Sequence, residues 1–302
     1  MPPSSSPVVV VTGASSGIGL STARAFAGRG YRVVVASRSE SRLADVTAQC
    51  RADGAADVLA VVTDVADERS VDALFDQVAA RFGGLDVVAH VATPMAYGTL
   101  EALPSDVFTA VVDTAVHGSF YIARAALRIF RPQGRGTLVF VSSLLASIAA
   151  PEMGAYSTGK WGQAGLIRTL QLETRKARGI KICSVSPGGV NTPIYTQAAN
   201  FTGRSARAPI PVDPPEKVAR AIVHCVDKPK KRVSVGLANP LVIFGFRFFP
   251  QVYDALVTPL LHLASLSGPG RAPRTEGNVF KPASAGEAEH GPSPKRWKMR
   301  PS

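Results

Sequence analysis

The chain has 302 residues, 46% hydrophobic and 19% charged, long enough for one large α/β core or two smaller domains. Its formal net charge of +12 gathers partly in two clusters, Lys228, Lys230, Lys231 and Arg232, then Lys295, Arg296, Lys298 and Arg300; neither is interleaved with aromatics in a nucleic-acid reading pattern, so a solvated surface is expected and a nucleic-acid partner is not. Three widely spaced cysteines, Cys50, Cys183 and Cys225, argue against a disulfide framework or a thiolate metal site, no uncharged run of 18 residues is apolar enough to offer a membrane span, and a reduced, cytoplasmic setting is expected.

The N-terminal stretch Pro3-Ser4-Ser5-Ser6-Pro7 lacks the basic and apolar regions of a signal peptide, so Val8 to Val11 reads as a strand. It is followed by Thr12-Gly13-Ala14-Ser15-Ser16-Gly17-Ile18-Gly19 and then an amphipathic helix from Leu20. Strand, glycine turn and helix in that order are the context of a dinucleotide site: the glycines allow close backbone approach, and a pyrophosphate sits on the helix N-terminus. A second strand, Tyr31 to Ala36, ends in Ser37-Arg38 eighteen residues after Gly19, where a carboxylate would bind the adenosine ribose. A serine and a cation there suit a 2′-phosphate instead, which favours NADP (NADPH) over NAD.

The alternation continues with strand 58–62, Asp64-Val65 at its end, helix 70–82, strand 85–90, helix 106–130, strand 136–141, helix 155–178 and strand 181–185. Short apolar strands alternating with longer helices predict an α/β fold, a doubly wound parallel sheet with ligands at the carboxyl ends of its strands. Tyr156 and Lys160 lie four positions apart on one helix face, where a cation beside a phenol favours the phenolate and lowers its pKa. Thirteen residues before Tyr156, Ser143 closes a buried strand and can hold a carbonyl or alcohol oxygen against the phenol.

With both ends of this site in view, the chain resembles a short-chain dehydrogenase/reductase of the NADP-dependent type over residues 7 to 237. The resemblance rests on Thr12-Gly13-x-x-x-Gly17-x-Gly19, Asp64, Ser143, Tyr156-x-x-x-Lys160 and Pro187-Gly188. It implies Tyr156 as general acid/base, Lys160 as the group that lowers its pKa and bonds the nicotinamide ribose, and Ser143 as the residue that orients the substrate oxygen. It further implies Thr192 on the carboxamide near Pro187, Gly188 and Val190, Asp64 on the adenine amino group with Val65 beside it, and Ala92 along the cofactor. Gly13, Ser15, Ser16, Gly17, Ile18, Gly19, Ser37 and Arg38 complete the expected cofactor set, and a homodimer or homotetramer paired through the helices at 106–130 and 155–178 is implied by the family alone. Two departures stand out. The fourth strand ends in His90-Val91-Ala92-Thr93 where the family has Asn-Asn-Ala-Gly, and Ala115 takes the place of an asparagine that holds a relay water, a gap that Thr114 or a repositioned water would fill.

His90 and His117 sit in apolar segments and read as structural. Residues 191–215 lack periodicity and fit a substrate-closing lid; a short helix from Pro215 to Val226 and a last strand, Arg232 to Val235, finish the sheet. Residues 238–266 are apolar but interrupted by Arg247, Pro250, Asp254 and Pro259: a pocket wall or a subunit contact is favoured over a helix lying in a membrane interface. Residues 267–302 read as an extended, mobile tail. The expected function is hydride transfer between nicotinamide and an apolar carbonyl or secondary alcohol, with no metal; the rival is a dinucleotide-binding sensor or scaffold with little catalysis.

Overall fold

The computed structural model describes residues 6–266 and 272–292. Seven strands form one parallel sheet: β1 (Val8–Thr12), β2 (Arg32–Ser37), β3 (Asp57–Val62), β4 (Val87–His90), β5 (Gly136–Val141), β6 (Ile180–Pro187) and β7 (Val233–Val235). Their order is β7-β6-β5-β4-β1-β2-β3, with Val10 facing Val34 on one side and Val88 on the other. The chain winds outward from β1 through β2 to β3, then returns to β4 on the opposite flank. That reversal opens a crevice at the carboxyl ends of β1 and β4, the place where doubly wound sheets take ligands.

Runs of β-branched residues suit strands covered on both faces, and alternate side chains enter different cores. Val9, Val11, Val33 and Val35 pack on one face with Leu20 and Phe26 of α1 (Gly17–Ala27), Leu43 of α2 (Glu40–Ala52) and Ile222 of the later helix Pro215–Asp227. On the other face Val8, Val10 and Val34 meet Leu74 of α3 (Glu68–Phe82) and Ile122 and Phe130 of the helix His117–Gln133. Asp67 caps α3 by accepting the Arg69 amide, and Gly83, at φ 70°, ends it in the left-handed conformation that glycine tolerates best.

The helix expected over 106–130 is two helices, α4 (Ser105–Ala115) and α5 (His117–Gln133), joined at Val116. The break falls where the chain presses on the end of β3: a Cβ at Gly118 would lie 3.0 Å from the Val65 carbonyl oxygen. The helix α6 (Gly154–Glu173) ends earlier than expected, at Thr174, whose hydroxyl bonds back to the Leu170 carbonyl and satisfies an orphan acceptor of the last turn. Within 191–215 the structure forms a one-turn helix, α7 (Ile194–Gln197), and two-residue strands that tie Ala199–Asn200 to Ala96–Tyr97 and Val212–Asp213 to Gly189–Val190. The helix α8 (Pro215–Asp227) then leads into β7.

Residues 238–266 form a helical hairpin, α9 (Asn239–Phe248) and α10 (Pro250–Ala264), stapled by Phe246 against Tyr253 with ring centroids 5.1 Å apart. Tyr253 donates to the Ala149 carbonyl at 2.7 Å, and Leu241, Phe249 and Leu256 of this segment border the cavity described below. Leu241, Phe248 and Leu263 of the hairpin are exposed. Among the described residues, no helix is long and apolar enough to cross a membrane.

The mobile tail expected over 267–302 is corrected for residues 272–292, which run back across the molecule; the remainder of that span lies outside the described residues. Thr275 pairs with Asn200 as an antiparallel bridge, and Glu289 accepts from Ser21 and Arg24, each at 2.7 Å. The composition suggested an unanchored segment, but its few polar groups find specific partners on α1 and near α7.

Candidate active site

Each glycine of the turn after β1 has a steric reason. A Cβ at Gly13 would sit 2.8 Å from the Ala92 nitrogen, and one at Gly19 only 1.9 Å from the Gly13 carbonyl oxygen; Gly17 has φ +53°. The N-terminus of α1 carries no acidic residue in its first turn, and Ser16 makes no side-chain cap there. Such a helix end, at the sheet's switch point, fits a dinucleotide pyrophosphate. Gly19→Ala is therefore expected to destabilise the fold by roughly 1–3 kcal/mol through overpacking, and to abolish dinucleotide binding, as read by thermal unfolding and cofactor titration.

His90 ties β4 to this turn. Its Nδ1 lies 2.9 Å from the Thr12 hydroxyl, which also accepts the Val91 and Ala92 amides at 3.2 and 3.4 Å. Because Thr12 accepts twice, its own proton goes to Nδ1, which assigns the neutral ring's proton to Nε2. Burial, with the Lys160 charge adding to it, pulls the His90 pKa down to about 3, so the ring stays uncharged. His117 is exposed and pairs with Asp113 at 3.0 Å. Both histidines are structural.

Ser143, Tyr156 and Lys160 meet between β5 and α6. The Ser143 hydroxyl accepts the Leu145 amide at 3.1 Å, which fixes it at the start of a short 3₁₀ turn. Tyr156 is buried in the first turns of α6, and Lys160 lies behind it, with Nζ 5.7 Å from the ring centroid. The expected lowering of the phenol is reversed. Burial pushes the Tyr156 pKa above the ordinary tyrosine value, with the Ser143 hydrogen bond pulling the other way. Burial also pulls the Lys160 ammonium down to about 7.

The reason is where the ammonium points. Lys160 donates to the Val141 carbonyl at 3.0 Å and to Gln163 Oε1 at 3.2 Å; Gln163 Nε2 donates to Ser119 at 2.8 Å, and Ser119 donates to the Ala115 carbonyl at 2.6 Å. Thr114 bonds within its own helix, to Ala110. The buried Gln163 and Ser119 thus connect Lys160 to the Ala115 backbone. A carboxamide and a backbone carbonyl hold an ammonium in place but do not readily pass protons along. The sequence reading missed Gln163 and Ser119, although Gln163 lies three residues from Lys160 on one helix face, a visible spacing.

A cavity of about 930 Å³ runs from the glycine turn to the α9–α10 hairpin. It is bordered by Gly13, Ser15, Ser16, Gly17, Ile18, Gly19, Ser37, Arg38, Asp64, Val65, Ala92, Ser143, Tyr156, Pro187, Gly188, Val190 and Thr192. Of the expected catalytic and cofactor-binding residues, Lys160 alone stands behind the wall. At the hairpin end the lining is apolar: Met95, Tyr97, Met153 and Tyr195 pack around Tyr156 with Leu261 and Leu266. At the other end the tail joins the wall. Arg38 donates to the carbonyls of Val279 and Asn278 at 2.8 and 2.5 Å, Ser15 donates to Glu287 at 3.1 Å, and the Gly17 amide donates to the Ala288 carbonyl at 2.9 Å. The sequence held no periodic signal for these tail contacts.

Comparison with known proteins agrees with this geometry. Residues 7–202 match the short chain dehydrogenase family. The chain is 39% identical over 221 residues to a cis-4-hydroxycyclohexanecarboxylate dehydrogenase from Sinomonas cyclohexanicum, covering 71% of this chain and 87% of that one. Its structure is similar to that of a short-chain dehydrogenase from Streptomyces avermitilis, with TM-score 0.71, 26% identity and coverage of 86% and 97% of the two chains. An actinorhodin polyketide ketoreductase with NADPH is similar at TM-score 0.69 and 25% identity, over 78% of this chain and 97% of that one. A glycine turn at the switch point, a Ser-Tyr-Lys group at its far end and these likenesses together establish that the chain belongs to the short chain dehydrogenase family of oxidoreductases.

Proposed function

We propose that the protein moves a hydride between NADP(H) and a carbonyl or secondary-alcohol carbon of an apolar small molecule, with Tyr156 as general acid/base. The observation that carries this reading is one cavity with the glycine turn at one end and the Ser143–Tyr156 pair at the other. Bound there, the nicotinamide would supply or accept the hydride. The residues of the chain do the rest. Ser143 donates a hydrogen bond to the substrate oxygen, and Tyr156 passes its proton to that oxygen in reduction. A phenol held above its ordinary pKa remains protonated near neutrality, which suits the acid role. Met95, Met153, Tyr195 and Leu261 exclude water and favour an apolar substrate.

The names of similar proteins support the alcohol/carbonyl chemistry: one is a cis-4-hydroxycyclohexanecarboxylate dehydrogenase and another a polyketide ketoreductase with NADPH. Residues Asp64, Val65 and Ala92 are assigned to the adenosine half of the cofactor, and Pro187, Gly188, Val190 and Thr192 to the carboxamide half. Exposed Phe120 and Trp161, on α5 and α6, support pairing of two copies through those helices.

The test is the purified protein with NADPH or NADH and a panel of apolar ketones and secondary alcohols, followed by nicotinamide absorbance. Turnover of the panel supports the reading; dinucleotide binding without turnover across it favours a sensor or scaffold. Arg38 is the one cation at the end of β2, so Arg38→Ala is expected to weaken NADPH by about tenfold relative to NADH, the value of one charge-assisted contact to phosphate. An unchanged affinity ratio would remove Arg38 from that role.

A further inference from the structure

The tail contacts fall on the groups that would distinguish NADP from NAD. The Arg38 guanidinium is turned onto the Asn278 and Val279 carbonyls, and the Ser15 hydroxyl onto Glu287 Oε1. Asn278 and Glu287 border the cavity, and each carries a buried acceptor without a partner: Oδ1 of Asn278 and Oε2 of Glu287 make no hydrogen bond. A buried acceptor without a donor is costly unless something supplies one.

We infer that residues 272–292 are a strap that sets cofactor selectivity, withholding Arg38 from a 2′-phosphate and offering the Glu287 and Asn278 acceptors to the hydroxyls of an unphosphorylated adenosine ribose. The inference rests on the reading of this cleft as a nicotinamide dinucleotide site. A phosphate carries only acceptors and negative charge near neutrality, so a buried carboxylate beside it repels it and gives it no donor. A ribose hydroxyl is a donor and satisfies that same carboxylate. The bond from the Gly17 amide to Ala288 affects both dinucleotides alike, since both carry a pyrophosphate. The contacts with Arg38 and Glu287 do not. The core, with Arg38 at the end of β2, therefore suits NADP(H), whose phosphate takes Arg38 only by drawing it off the strap, and the seated strap narrows that preference.

The strap can be unseated in the full-length chain. Gly277 has φ +57°, and a Cβ there would lie 2.2 Å from the Gln197 carbonyl oxygen, so Gly277→Val is incompatible with the seated path. Glu287→Gln removes the charge and keeps the shape. Dissociation constants for NADH and NADPH, measured by nicotinamide fluorescence on the wild type and both variants, give the readout. Gly277→Val is expected to shift the affinity ratio toward NADPH by about tenfold, and Glu287→Gln by about threefold, with the NADPH constant carrying most of the change. Hydrogen exchange supplies a second measure on the unaltered chain: NADPH is expected to raise amide exchange across residues 276–291, and NADH to lower it. A ratio unchanged by Glu287→Gln together with equal tail protection under both cofactors overturns the strap, even if Gly277→Val does not fold. Failure of either dinucleotide to bind any version overturns the cofactor reading itself, and the strap with it.

Discussion

Tyr156→Phe is expected to lower turnover by about 10³-fold while leaving dinucleotide affinity within about twofold, because it deletes one oxygen and keeps the ring. The ring packs against Met95, Met153 and Tyr195, and Phe retains those contacts. The oxygen has no comparable substitute. Ser143 can polarise a carbonyl but is a far weaker acid than a phenol, and Tyr195 is engaged with the Val190 amide, whose proton its hydroxyl accepts at 3.3 Å. The same comparison fixes the pH behaviour. With the phenol held above its ordinary value, ketone reduction should hold steady through neutrality, and alcohol oxidation, which needs the phenolate, should accelerate as pH rises. Steady-state rates of the two directions, with cofactor titration of the variant, check both statements. A Tyr156→Phe enzyme with near wild-type turnover would mean that another group carries the proton.

The features legible in the sequence were those set by backbone sterics and short spacings. The glycines at 13, 17 and 19 could be read because nothing larger fits beside Ala92 or the Gly13 carbonyl, and the strand-turn-helix order placed them at the switch point. Tyr156 and Lys160 could be read because four residues make one helical turn. What spacing could not give was the sign of an electrostatic effect. A cation one turn away lowers a phenol only if it points at the phenol and water screens neither; here Nζ turns to Val141 and Gln163, and desolvation dominates both groups. The break at Val116 depends on how closely Gly118 approaches Val65, a tertiary contact with no local signature. The path of residues 272–292 was hidden for a related reason: Asn278, Glu287 and Glu289 are ordinary polar residues whose role exists only through partners more than eighty positions away, in the glycine turn, on α1, just past β2 and on α7. The bond from Ser15 to Glu287, not composition, distinguishes that segment from a solvated tail.

Lys160→Met is expected to raise thermal stability, by roughly 2 kcal/mol below about pH 7. A lysine whose pKa falls from 10.5 to about 7 on folding is one whose charged form the fold disfavours by several kcal/mol. Two hydrogen bonds, to Val141 and Gln163, offset part of the burial cost in the wild type, and the variant loses them, which reduces the net gain. The pH dependence follows from proton counting. Between about pH 7 and 10.5 the unfolded chain binds the proton and the folded one releases it, so wild-type stability from this group rises with pH across that window. Below about pH 7 both states hold the proton and the penalty is complete; above 10.5 neither does and it vanishes. The stability difference between Lys160→Met and wild type should thus be greatest in mild acid and shrink toward alkaline pH, as followed by thermal unfolding of both proteins over that range. A difference that stays constant with pH, or a wild type more stable than the variant in mild acid, would place the Lys160 proton in a far better solvated site than the one between β5 and α6. The buried ammonium would then be a stabilising element of the fold rather than a strained group retained for its chemistry.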